Sequence, residues 1–332
     1  MKHSLFTDSD GKFSLKIKPD DKFFVAICKR KDNPHSFSCL GVIHNNIPLI
    51  LAGFGKYKKK NATRCEMAFW QAEGVMYDES ILLNTSGAYL QDVTYKAFEI
   101  DYESYKRHMA EMATFSSEQV KRKVTSRYLS AFQPVEENED EIIFQHRFLR
   151  DLTSADTEEG FKPDYCEISQ RNTCRHTAVD MTRRATLLDD LGKGVSRLFF
   201  RRLPLSMRLN EGLVETDHFF LLPPPPNAFT NMHPKTLAIA KRLYSRLDEM
   251  IQIGDKNPIT CDKFEAIKQL YNETTQDYAC DYPKLIHHIE DWLTDKRRLI
   301  GTHRNAHWFQ TTTASTKMFN EILDEYKKPS AG

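Results

Sequence analysis

QRNTCRHTAVDMTRRA, residues 170–185, places a cysteine at the start of a helical pattern. Ala178, Met181, Ala185 and Leu188 follow Cys174 at the spacing of a single helix face. Asn172 or Thr173 can cap this helix, and Gly192 can stop it. Cys174 therefore heads an apolar stripe, which allows two readings. Free cysteine is among the most buried residue types, so the thiol can be plain packing. The first turn of a helix also presents backbone N–H groups and the positive dipole end, which favour a thiolate. On the second reading Cys174 is a nucleophile, and Gln170 can offer an amide N–H to an oxyanion.

A nucleophilic thiol requires a base. His35 stands at the mouth of the strand HSFSCLGVI, residues 35–43, in the apolar sheet region. His44 lies at the other end of that strand and cannot share a site with His35. His176 is too near Cys174 in sequence and points off its face. Before the histidine, KFFVAIC (22–28) reads as a strand, and Asp32-Asn33-Pro34 as a turn. After it, HNN leads to the strand IPLILAGFG (47–55). This sheet is too apolar for one wet face and is expected to be covered on both. MAFWQAEGVMYDES (67–80) is ambiguous and is read as a short helix. Tyr95–Ile100 reads as a strand entering a helix capped by Asp101, and VEENEDEI (135–142) as an acidic surface stretch between elements.

The chain has 332 residues, 40% hydrophobic and 28% charged, a composition suited to two globular domains. A formal charge of +1 gives no reason to expect a nucleic-acid partner. MKHSLFTDSDGKFSL lacks the apolar core of a secretory signal, and no run is long enough to span a membrane. Seven scattered cysteines without a CxxC point away from disulfides and zinc and toward a reducing compartment. No cofactor or metal is expected. His303 and His307 share a helical spacing but lack a third ligand. The basic, apolar stretch 197–208 can lie on an anionic membrane surface, although burial with a solvated edge suits it better. Four prolines, 223–226, form a stiff connector. From Pro234 onward, apolar stripes led by Leu247, Phe264, Trp292 and Phe319 describe a bundle of about four helices.

The order of strand histidine, second strand, strand–helix unit YKAFEIDYESYKRHM and helix-opening NTCRHTA resembles the permuted papain-like (NlpC/P60-type) families. In those families the histidine precedes the cysteine. The resemblance implies an α+β fold: a papain-like domain over residues 1–212 and a helical domain over 213–332. It also implies that Cys174 is the nucleophile and His35 its base. Two features differ from the family pattern. Thr173 separates Asn172 from Cys174, and the strand after the histidine carries no polar third residue. An orienting group must come from elsewhere, or the site is a dyad, or it is inactive. A second resemblance rests on HSFSCLGVI, LILAGFGK, GVMYDES, AFEIDYESY, NTCRHTA and FFLLPPPPNAF. Over residues 20–275 the chain is similar to Dot/Icm type IV-secreted effectors of intracellular bacterial pathogens. That likeness implies delivery into a host cytosol. Together the two resemblances suggest a cysteine hydrolase or acyl transferase acting on a host protein, such as a ubiquitin-related one. The other reading is a non-catalytic effector that binds a host protein on the same scaffold.

Overall fold

Apolar strand formers between residues 22 and 58 build the centre of the molecule. The computed structural model describes residues 14–59, 72–79, 90–150, 164–169, 171–192, 194–195, 203–210, 212–254, 257–303 and 312–326. The chain is mixed α and β and divides into two units, Met1–Leu221 and Leu222–Gly332.

In the first unit, β1 (Ser14–Ile17) joins β7 (Ser130–Glu137) and β8 (Ile142–Phe148) in a small antiparallel sheet. The larger sheet contains β2 (Lys22–Arg30), β3 (Ser36–His44), β4 (Ile47–Lys58), β5 (Ala72–Asp78) and β6 (Leu90–Ile100). It also contains β9 (Glu167–Ile168), β10 (Leu205–Asn210) and β11 (Leu213–Glu215). Its order is β11-β10-β6-β2-β3-β4-β5-β9. Leu213 of β11 also pairs with Leu49 of β4, and the Ile50 N–H donates to the Gly212 carbonyl at 2.7 Å. The sheet thus closes into a barrel through β4, whose far half is left to pair with β5. Closure explains why these strands read as apolar on both faces: one face lines the interior and the other is packed over. Asn45 and Asn46 take left-handed φ values of 50° and 63° in the β3–β4 turn, the geometry that two-residue hairpins favour.

Among the described residues, two α-helices accompany these sheets. Asp101 accepts the Ser104 N–H at 2.6 Å and caps α1 (Tyr102–Lys121). The helix α2 (Cys174–Thr186) packs on β2, β3 and β4. Its apolar face is Ala178, Met181 and Ala185, all essentially buried. The Ser38 hydroxyl meets the Thr182 hydroxyl across this contact at 3.4 Å.

Several expectations are corrected. Residues 72–78 are the strand β5 rather than a helix: they pair with the far half of β4, and Val75 and Met76 are buried. The acidic stretch 135–142 is largely exposed, as expected, and lies between elements: residues 138–141 form the turn of the β7–β8 hairpin. The helix α2 ends at Leu187, which adopts the left-handed conformation at φ 55°, before Gly192 is reached. Leu188 is therefore outside the helix. The strand β11 belongs to the barrel, so the first unit extends beyond residue 212 to Leu221. Within 197–208, residues 197–202 lie outside the described residues. Leu203, Leu205 and Met207 are buried and Arg208 pairs with Asp92, so the described part turns its apolar side chains inward, away from any membrane.

The second unit consists of α3 (Pro234–Ile253), α4 (Pro258–Gln276), α5 (Tyr282–Gly301) and α6 (Ala314–Tyr326). Proline stands in the first turn of the first three of these, where its missing N–H costs nothing. Gly254 ends α3 in the left-handed region. Leu247 and Phe264 are fully buried and Trp292 is nearly so, stacking near Phe319 at 5.3 Å. The Tyr271 hydroxyl donates to the Pro224 carbonyl at 2.6 Å, fixing the polyproline segment to α4. No helix among the described residues is long and apolar enough to cross a membrane.

Two glycine substitutions test this packing. A Cβ on Gly41 would lie 2.2 Å from the Leu49 carbonyl oxygen and 2.4 Å from the Phe24 ring, whereas one on Gly301 meets nothing within 4 Å. Gly41→Ala is expected to cost at least the about 1–3 kcal/mol of an overpacked core. Gly301→Ala, at a helix end, should be neutral or gain up to about 1 kcal/mol. Urea denaturation of the two variants checks the contrast.

Candidate functional site

The β2–β3 connection sets the histidine. Asn33 accepts the His35 N–H at 2.9 Å, and the Arg30 N–H donates to the His35 carbonyl at 3.0 Å. His35 thus sits at the barrel mouth, two residues before Phe37 on the same strand face. The pairings Cys28–Phe37, Phe37–Gly55 and Gly55–Tyr77 carry that row across four strands. Arg30 and Tyr57 lie one step further along the same face.

The space above Gly55 is filled by a carboxylate from the end of β5. Glu79 is anchored by its N–H to the Gly53 carbonyl at 3.0 Å, and its side chain is fully buried. His35 Nε2 lies 2.7 Å from Glu79 Oε1. Arg30 donates to Oε2 at 2.8 Å, and the Tyr57 hydroxyl donates to Oε1 at 3.0 Å. The Tyr57 ring also stacks on the His35 ring with centroids 4.3 Å apart. A Cβ on Gly55 would fall 1.7 Å from Glu79 Oε1 and 2.7 Å from His35 Nε2. Glycine is required there because the carboxylate occupies the place of a side chain.

Opposite this cluster, Thr173 is the N-cap of α2. His176 Nδ1 accepts the Thr173 N–H at 3.2 Å, so His176 closes the helix start and takes no part beside the thiol. Buried Lys56 donates to Asn172 Oδ1 at 2.7 Å and tethers the turn that delivers Cys174. The Cys174 side chain lies close enough to the His35 imidazole for each to act on the other's charge.

Burial disfavours the imidazolium of His35, but Cys174 and Glu79 together outweigh it and raise its pKa to about 9. Burial likewise pushes the Cys174 thiol up. His35 and the backbone N–H groups of Ser36 and Arg175 outweigh that effect, and the net direction is down. Each group favours the charged form of the other, the electrostatic arrangement of an imidazolium–thiolate pair. The arrangement can attack a carbonyl carbon with the sulfur and return a proton from the ring.

Of the residues singled out from sequence, Cys174 and His35 meet here. Gln170 lies outside the described residues. His44 is bonded to Asp21 at 2.6 Å at the far end of β3. His307 also lies outside the described residues, and among those described no group of His, Cys, Asp and Glu could hold a metal. Sequence reasoning missed Glu79, Arg30 and Tyr57. The readable signal was Gly55: a glycine inside an apolar strand marks a close approach, and the YDES that follows supplies the acid.

The charge arrangement is directly measurable. By NMR titration, His35 should change protonation near pH 9 in the wild type. Cys174→Ala and Glu79→Gln should each lower that value, since each removes an anion facing the ring while burial continues to oppose the charge. Gly55→Ala should lower it too, by displacing Glu79. A wild-type value at the ordinary 6.5 would contradict the geometry. Comparison of the chain with protein-family models, with curated protein sequences and with solved structures found no match, so its functional reading rests on this site.

Proposed function

We propose that the chain is a cysteine-dependent hydrolase or acyl transferase built on a permuted papain-like domain. Cys174 is the nucleophile, His35 the base and acid, and Glu79 the residue that orients the ring. The observation that carries this reading is the imidazole set between a fully buried carboxylate and a cysteine in the first turn of a helix. In this mechanism the thiolate adds to the carbonyl carbon of an ester or amide. The imidazolium then gives its proton to the leaving group as the acyl–sulfur bond forms. Water or an amine, deprotonated by the neutral imidazole, attacks the thioester and releases the thiolate.

Glu79 supplies the polar third member that the second strand lacks, so the site is a triad in this reading and not a dyad. Arg30 shares the carboxylate with His35 and holds it in place. A protein substrate in a host cytosol, and delivery there by a type IV system, are proposed from the resemblance to Dot/Icm effectors. The same resemblance supports the choice of a host protein over a small metabolite.

Alkylation rates provide the test. Iodoacetamide at about pH 6 should modify Cys174 first, because an unperturbed thiol with a pKa of about 8.5 is almost wholly protonated there. Cys280, the exposed cysteine among the described residues, is the internal reference. His35→Ala should slow Cys174 labelling by about tenfold or more without unfolding the protein. Labelling that follows exposure alone, with Cys280 ahead, would leave the non-catalytic scaffold as the better reading.

A further inference from the structure

Beside the candidate site lies a cavity of about 300 Å³ that the mechanism above does not use. Tyr57 is common to both: it stacks on His35, and it also forms part of the cavity wall. Tyr77 and Tyr128 supply further aromatic wall, and Met76 and Leu129 supply apolar surface. The Tyr57 and Tyr77 rings are 5.8 Å apart and tilted by 51°, so they meet at an angle instead of filling the space between them. The acidic group of the lining is Asp78. Its carboxylate is held by the Ser130 N–H at 2.9 Å and the Ser130 hydroxyl at 2.6 Å. These bonds fix the group in the wall.

We propose that this cavity is a subsite for a cationic side chain, a lysine or arginine of the substrate, bound on the His35 side of Cys174. Tyrosine faces attract an ammonium or guanidinium through the ring quadrupole. A fixed, partly desolvated carboxylate adds charge attraction that bulk water would otherwise screen. Burial raises Asp78 to a pKa of about 6, so the group is ionised at neutral pH. Arg127 stands at the exposed rim, where solvent weakens its repulsion of a cation at the wall. A methylene stem of lysine length fits the apolar surface between the aromatic rings and the carboxylate. The cavity's link to catalysis rests on the cysteine-nucleophile reading, but its binding chemistry does not.

Two chloroacetamides of equal length test the proposal, one made from cadaverine with an ammonium tail and one from hexylamine with a neutral tail. In each the Cys174 thiolate displaces chloride and forms a carbon–sulfur bond. The ammonium probe should label Cys174 faster by about tenfold, the ratio given by about 1.4 kcal/mol of cation binding. Asp78→Asn should reduce that ratio toward one while leaving the iodoacetamide rate unchanged. Tyr77→Ala, at a partly exposed position, should reduce it in the same way. Arg127→Ala should raise it. Equal rates for the two probes in the wild type, or a preference that survives Asp78→Asn, would overturn the proposal. If iodoacetamide does not select Cys174, the nucleophile reading fails, and free cadaverine then decides the subsite alone. Shifts of the Tyr57, Tyr77 and Tyr128 ring signals that vanish in Asp78→Asn would uphold it, and their absence would overturn it.

Discussion

The first unit depends on a single buried carboxylate. Glu79 sits at the barrel mouth, held by Arg30, His35 and Tyr57. An ionised group there is tolerable only if its partners stay in place, since removing one side of a buried pair costs about 3–5 kcal/mol. The surrounding choices follow from that demand. Gly55 leaves room for the acid, the Gly53 carbonyl fixes its backbone, and Tyr57 lies over the histidine it holds. The rest of the barrel interior is apolar around this cluster, which keeps its electrostatics strong.

Barrel and helix then play separate parts. Closure through the Leu49–Leu213 pair lies toward one end of β4, and the other half of that strand carries Gly55 to the mouth at which Arg30, His35 and Glu79 converge. The helix α2, seated by Ala178, Met181 and Ala185, brings Cys174 to that mouth from outside the barrel. The thiol is thereby set between the helix N-terminus, whose N–H groups favour a thiolate, and a ring whose positive charge is favoured by its bond to Glu79. Neither element alone would produce the pair. The packing reading and the nucleophile reading of Cys174 are also not exclusive: the stripe behind it packs, while the residue at its head meets the histidine.

Much of this was legible in the sequence because the relevant signals are local. Helical spacing set Cys174 at the head of a helix, alternation and turn residues marked β2, β3 and β4, and four stripes marked α3 to α6. His35 could be chosen among twelve histidines because it stands at the mouth of a strand in the apolar sheet region. What was not legible depends on pairing between distant segments. β5 looks helical until its register with β4 is known, and the β7–β8 hairpin is hidden by its acidic tip. Glu79 cannot be recognised as a partner of His35 until Gly55 and Tyr77 are seen opposite each other. The end of α2 was missed for another reason. Leu187 accepts a left-handed conformation normally left to glycine, so the rule that pointed to Gly192 did not apply.

The central claim is that Cys174 and His35 form an ion pair sustained by Glu79. Its most direct measurement is the ultraviolet thiolate absorbance of the folded protein, taken as the difference from Cys174→Ser across pH. The expected result is a thiolate signal already present at neutral pH and lost only as pH falls well below the ordinary thiol range. In Glu79→Gln the midpoint should move up, because the imidazolium that sustains the thiolate is weakened. A thiolate that appears only in the ordinary range of about 8.5, with a midpoint indifferent to Glu79, would contradict the account.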